Sequence, residues 1–143
     1  MEEYKYILIP LIGIVFAQIL KTIIETISTK KFSLERLLNG AGGMPSTHTT
    51  AVISLTTLIY IDYGLNSELF AICLIFSLIV MYDAMGIRYE TGKQAEIINV
   101  LAQKAKLKDS FVLLKEKIGH KPIEVLGGIL TGIIVACVLN IVF

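Results

Sequence analysis

The chain holds two histidines, His48 and His120, and each stands close to a proline. Pro45 precedes the first in Gly42-Gly43-Met44-Pro45-Ser46-Thr47-His48, and Pro122 follows the second in Gly119-His120-Lys121-Pro122-Ile123-Glu124. Proline is pre-shaped for the first turn of a helix, so both imidazoles are expected beside helix N-termini. Free backbone N–H groups and the positive end of the helix dipole make such places receptive to anions, phosphate above all. Thr91-Gly92-Lys93-Gln94 has the form of a capping box, which would put Lys93 at a third N-terminus. Arg88 adds a planar fork matched to paired phosphate oxygens. With Ser46, these groups read as a phosphoryl-transfer site.

The chemistry divides naturally between the two rings. One group must attack phosphorus while another protonates the departing oxygen, and histidine can do either near neutral pH. Glu124 lies four residues after His120, where a carboxylate on one ring nitrogen would fix the tautomer and leave the other free to attack. His120 with Glu124 is therefore the expected nucleophile pair, and His48 the expected acid. Asp83 falls inside an apolar run, where a carboxylate is costly and needs a partner; Arg88 or Lys93 is its expected mate. Asp83 then orients a phosphate-binding cation and does not itself react. With cations and helix ends to stabilise the developing charge, this reading calls for no metal and no other cofactor. Taken singly, each residue has a plainer reading: a histidine as a cap, Arg88 as a snorkelling anchor, Lys93 on a solvated face, Pro45-Ser46-Thr47 as a turn.

The elements that must position these groups are apolar. Of 143 residues 55% are hydrophobic and 17% charged, which excludes a disordered chain and disfavours a soluble domain. The net charge of +1 argues against nucleic acid as a partner. Apolar runs at 6–27, 48–61, 69–87 and 123–143 approach the ~20 residues that carry a helix across a bilayer, the second being the shortest. A signal peptide is disfavoured for the first run, which is long and follows Glu2 and Glu3. Lys21 reads as a snorkelling residue marking that helix's end. Between the third and fourth runs, Ile97, Ile98, Leu101 and Ala105 share one face of an amphipathic helix expected to lie along the membrane surface. A second short helix is expected from Phe111 to Ile118, capped by Asp109 or Ser110 and ended by Gly119. Gly128, Gly132 and Ala136 repeat small side chains at a helix-packing spacing, which suits either an internal contact or a homodimer. Cys73 and Cys137 lie in apolar runs and read as small buried hydrophobes.

The expected architecture is an all-α membrane bundle. It has about four transmembrane helices and one or two amphipathic interfacial helices, in a single domain over residues 1–143. Eleven of the thirteen basic residues fall in the first loop and in the segment after the third run, which the positive-inside rule places in the cytoplasm. All the candidate site residues then gather at cytoplasmic helix ends of a multi-pass cell-membrane protein.

The stretches GGMPSTHT, MYDAMGIRYETGKQAEIINVL and IGHKPIEVLGGILTG resemble the divergent branch of the type-2 phosphatidic acid phosphatase family, related to vanadium-dependent haloperoxidases. Pro45-Ser46-Thr47-His48 is similar to that superfamily's Pro-Ser-Gly-His motif, with Thr for Gly. His120-x3-Glu124 is similar to the end of its Ser-Arg-x5-His-x3-Asp motif, with Glu for Asp. No Ser-Arg pair stands at the family's distance before His120, and no Lys-x6-Arg-Pro precedes His48, so Arg88 and Lys93 would supply the cations. The resemblance implies a lipid phosphatase in which His120 attacks phosphorus and His48 is the acid. The expected partners are a membrane lipid phosphate as substrate and the bilayer itself. The rival readings are a non-catalytic binder of anionic lipid headgroups, a transport subunit using Asp83, and, more remotely, a haloperoxidase.

Overall fold

Small and hydroxyl-bearing side chains decide how this bundle closes. The computed structural model describes residues 2–30, 42–105 and 112–143. Within them lie a 3-10 turn at Glu2–Tyr4 and five α-helices: α1 (Lys5–Thr29), α2 (Thr47–Tyr63), α3 (Glu68–Met85), α4 (Ile87–Lys104) and α5 (Pro122–Val142). The four apolar runs correspond to α1, α2, α3 and α5. Lys31, Arg36, Lys106 and Lys108 of the basic count, and the start of the expected second short helix at Asp109, Ser110 and Phe111, lie outside the described residues.

α1, α5 and the stretch Glu68–Lys104 formed by α3 and α4 are each long and apolar enough to cross a membrane. Exposed aliphatic residues cover their outer faces, for example Ile72, Ile75 and Ile79 on α3 and Ile133, Ile134 and Val138 on α5. In water this would be a large unpartnered surface; in a bilayer it is the ordinary lipid-facing side.

α2 is the central helix, packed against α1, α3 and α5. Its 17 residues give only about 25 Å of length. It nonetheless runs from one end of the bundle to the other. At its start the Ser46 N–H donates to the Glu124 carbonyl at 3.0 Å beside the beginning of α5, and at its finish Asp62 meets Tyr6 and Lys5 at the beginning of α1. Because its neighbours cover it, α2 can carry Thr49, Thr50, Ser54 and Thr56 in buried positions. Their hydroxyls are all engaged: Thr50 donates to the Ser46 carbonyl at 2.9 Å, Thr56 to the Val52 carbonyl at 2.8 Å, and Thr56 also meets Ser77 of α3 at 2.8 Å. Hydroxyl pairs of this kind bind helices together where lipid gives no hydrophobic drive.

The small-residue face of α5 closes against α2 within the same chain. A Cβ on Gly128 would lie 2.8 Å from the Ser46 carbonyl, and one on Gly132 would lie 2.8 Å from that of Thr50. Of the two uses open to this face, the structure takes the internal one, so a homodimer would need another surface. α1 joins the same core through a stripe of Ile9, Gly13, Ala17 and Lys21, buried at every fourth position.

The segment between α3 and α5 departs from expectation in two ways. The Thr91-Gly92-Lys93-Gln94 stretch opens no helix, because α4 already begins at Ile87 after a break at Gly86, and the Thr91 hydroxyl donates to the Ile87 carbonyl within the helix. Nor is there a helix over 112–118: this stretch returns non-helically along α4. The buried amide of Asn99 clips it there, donating to the Leu114 carbonyl and to Glu116, each at 2.9 Å, while its oxygen accepts the Leu114 N–H at 2.9 Å. Gly92 and Gly119 serve close approach and are neither cap nor terminator. A Cβ on Gly92 would meet the Glu116 carbonyl oxygen at 2.3 Å, and one on Gly119 would meet the Tyr89 backbone at 2.3 Å.

Candidate active site at one end of the bundle

Ser46 fixes where α2 begins. Its side chain caps the helix by accepting from the Thr49 N–H, and it also accepts from the Thr49 hydroxyl at 2.9 Å. His48 is therefore the second residue of α2, in the first turn, with an exposed side chain. His120 arrives from the return segment. Its N–H donates to the Ala84 carbonyl near the end of α3 at 3.0 Å, which pins it two residues ahead of Pro122 and α5. Arg88 is the second residue of α4. Three helix N-termini thus meet at this end of the bundle, as expected, but Arg88 and not Lys93 marks the third.

Both imidazoles line one cavity of about 120 Å³, the scale of a single tetrahedral oxyanion. Lys21 of α1, Arg88, Thr47, Gly42, Ile118, and Val80 and Ala84 of α3 complete its wall. His120 is 5% exposed, and its Nδ1 lies 3.0 Å from Glu124 Oε2. An ionised carboxylate only accepts, so Nδ1–H donates and Nε2 carries the lone pair. Glu124 also accepts the Lys121 N–H at 3.1 Å, which holds the carboxylate against the start of α5. Burial pushes the His120 imidazole below its usual range. The Glu124 hydrogen bond works against this, the positive charge of Lys21 reinforces it, and Glu124's charge and the Gly43 backbone oppose it more weakly. The outcome favours a neutral ring at pH 7.

The remaining expected residues fall around this cavity in different ways. Asp83 accepts from Arg88 Nε, so of the two partners considered for it the structure supplies Arg88. Ser46 is fully buried behind the cavity, with its hydroxyl used as the helix cap. Lys93 does not line this cavity. It pairs with Glu90 at 2.8 Å, lies over the Tyr89 ring at 4.6 Å, and faces an adjoining cavity of about 500 Å³.

Lys21 is the residue that the sequence reading placed wrongly. It does not snorkel: only 2% of it is exposed, and it lines both cavities. The signal was present in the spacing. Ile9, Gly13, Ala17 and Lys21 form one four-residue stripe in which two small residues mark the packed face, and the lysine continues it. Together with Arg88 it supplies two cations beside two imidazoles, a set suited to holding an anion while charge builds on its oxygens.

The sequence profile described as the Divergent PAP2 family matches residues 3–135, a range that includes His48, Arg88, His120 and Glu124. The chain is 41% identical over 146 residues to YuiD of Bacillus subtilis (strain 168), described as an uncharacterized membrane protein, with 93% of this chain and 92% of that one covered. No solved structure matches. A membrane helix bundle whose matched region includes both histidine motifs places the chain plainly: it belongs to the Divergent PAP2 family.

Proposed function

We propose that the protein is a membrane phosphatase acting on a lipid phosphate monoester or diphosphate through a phosphohistidine on His120. The observation that carries this reading is the shared cavity: two imidazoles, one fixed by a carboxylate, line a phosphate-sized space with Lys21 and Arg88. The substrate's tail stays in the bilayer and its phosphoryl group enters the cavity. Nε2 of His120 attacks phosphorus and the bond from phosphorus to the lipid oxygen breaks. His48 gives its proton to that oxygen, which leaves as the lipid alcohol or, from a diphosphate, as the lipid monophosphate. Water then attacks the phosphohistidine and returns a proton to His48, His120 is regenerated, and inorganic phosphate departs. Glu124 fixes the reacting tautomer of His120, Arg88 and Lys21 hold the phosphoryl oxygens, and Asp83 positions Arg88. Ser46 acts at one remove, by starting α2 where His48 needs it.

On this reading the reaction proceeds in EDTA. The test is a panel of lipid phosphates, including phosphatidic acid, phosphatidylglycerophosphate and a polyprenyl diphosphate, offered to purified protein with labelled phosphorus. The expected result is phosphate release from at least one of them and acid-labile label on the wild type, with neither in His120→Ala. Lipid binding without release or label would instead make the protein a headgroup binder.

A further inference from the structure

Two cavities lie side by side at this end of the bundle, and only the smaller is used by the mechanism above. We propose that the larger is the aqueous passage through which inorganic phosphate leaves the reaction cavity, with Lys21 at the neck between them. This rests on the phosphatase reading, because that reaction yields two products that must part. A lipid alcohol stays in the bilayer, whereas a phosphate anion cannot cross hydrocarbon and needs a polar way out.

The walls show where that way lies. On the α3 side the reaction cavity presents Val80 and Ala84, which offer an anion nothing. The residues it shares with the larger cavity are Lys21, Gly42 and Ile118: a buried ammonium, a position without a side chain and one aliphatic group. Past them the space widens to about 500 Å³ between the second half of α1, the start of α4 and the return segment. Its wall carries four lysines and four glutamates. Opposite charges in equal number hydrate the space without trapping an anion in it. Lys93 is already engaged by Glu90 and Glu116 by Asn99, which further limits tight binding there. Lys21 borders both spaces, so one cation can hold the phosphoryl group during reaction and pass the free ion outward afterwards.

The passage can be narrowed without touching the reaction cavity. Ser28 on α1 and Lys117 on the return segment are both exposed, and both line only the larger space. Ser28→Trp and Lys117→Trp would be compared with Ile23→Trp, which lies on α1 and lines neither cavity, using phosphatidic acid in phosphatidylcholine vesicles. For the wild type and Ile23→Trp, lipid alcohol and phosphate should appear in step. For at least one passage variant the first equivalent of alcohol should appear at the wild-type rate while phosphate release slows about tenfold, as when product release limits turnover. Unchanged phosphate release in both, or equal slowing of both products, would overturn the proposal. If the wild type hydrolyses no lipid phosphate, the phosphatase reading fails and vanadate, a tetrahedral oxyanion, reads the passage directly. Its dissociation should slow in Ser28→Trp or Lys117→Trp but not in Ile23→Trp; equal rates throughout, or no vanadate binding by the wild type, would overturn it.

Discussion

His120 is held at its N–H by the end of α3 and at its Nδ1 by Glu124 at the start of α5, and its ring lines the small cavity that Lys21 also lines. Burial is the largest influence on its protonation and acts downward from the usual ~6.5. On the proposed mechanism the neutral ring attacks, so activity should be lost as pH falls through the ring's pKa, and a lowered pKa should carry the acid limb of kcat/KM below pH ~6.5. Glu124 acts in the raising direction, so Glu124→Gln should move that limb lower still. The same change should cut the rate by roughly 10² to 10⁴, because the amide no longer enforces the tautomer. A pH profile of the two proteins checks both signs. Lys21→Met keeps the volume of the side chain and removes its charge; its kcat/KM should fall by roughly 10² to 10³, the scale of losing one donor to the transferring group. Lys93→Met should change it little, since Lys93 faces the other cavity and is paired there. The histidines and their carboxylate were legible in the sequence because proline and i,i+4 spacing constrain them locally. Lys21 was missed because a lysine near the end of an apolar run reads first as a snorkelling residue, and only its register with Gly13 and Ala17 shows that it turns inward.

Between residue and bundle, the helices repeat that division. Length and apolarity alone locate α1, α3 and α5 to within a few residues, and Ser67, which accepts the Phe70 N–H at 3.0 Å, starts α3 as an ordinary cap. The return segment was not readable in this way. A Thr-x-x-Gln pattern and a glycine after lysines are usual helix signals, but here tertiary contact decides their use. Gly92 and Gly119 are small because two backbones cross, and no local rule records a crossing. The consequence can be measured. Gly119→Ala would force a Cβ to within 2.3 Å of the Tyr89 backbone, and Gly92→Ala one to within 2.3 Å of the Glu116 carbonyl oxygen. Neither contact can be relieved by a rotamer change. Each variant should lose about 1–3 kcal/mol, the range for overpacking, seen as earlier thermal unfolding in detergent. Gly119→Ala should also lose more activity than Gly92→Ala, because residue 119 is bonded directly to His120. Equal activity in the two would mean that the position of His120 does not depend on this crossing.

For the whole molecule, the placement of charge gives an expected sidedness for the site. The structure separates two ends. At one, Lys5, Tyr6, Asp62 and Asn140 form a clasp in which Lys5 reaches Asp62 at 2.7 Å and Asn140 at 3.2 Å. At the other lie the imidazoles, Arg88 and the return segment. Eleven of the thirteen basic residues are in the loop or segment attached to this second end, while Lys5 is at the first and Lys21 is buried within the bundle. By the positive-inside rule the cavity is expected inside the cell and the turn around Asn66 outside it. Cys73 and Cys137 would first be replaced by alanine, since both are free thiols. A single cysteine at Asn66→Cys should then react with a membrane-impermeant maleimide on intact cells, and one at Lys117→Cys only after permeabilisation. Both positions are exposed, so failure to label reports the barrier and not burial. The opposite pattern would turn the bundle over, place phosphate release outside the cell, and show that the basic residues of the return segment weigh less in orientation than their number suggests.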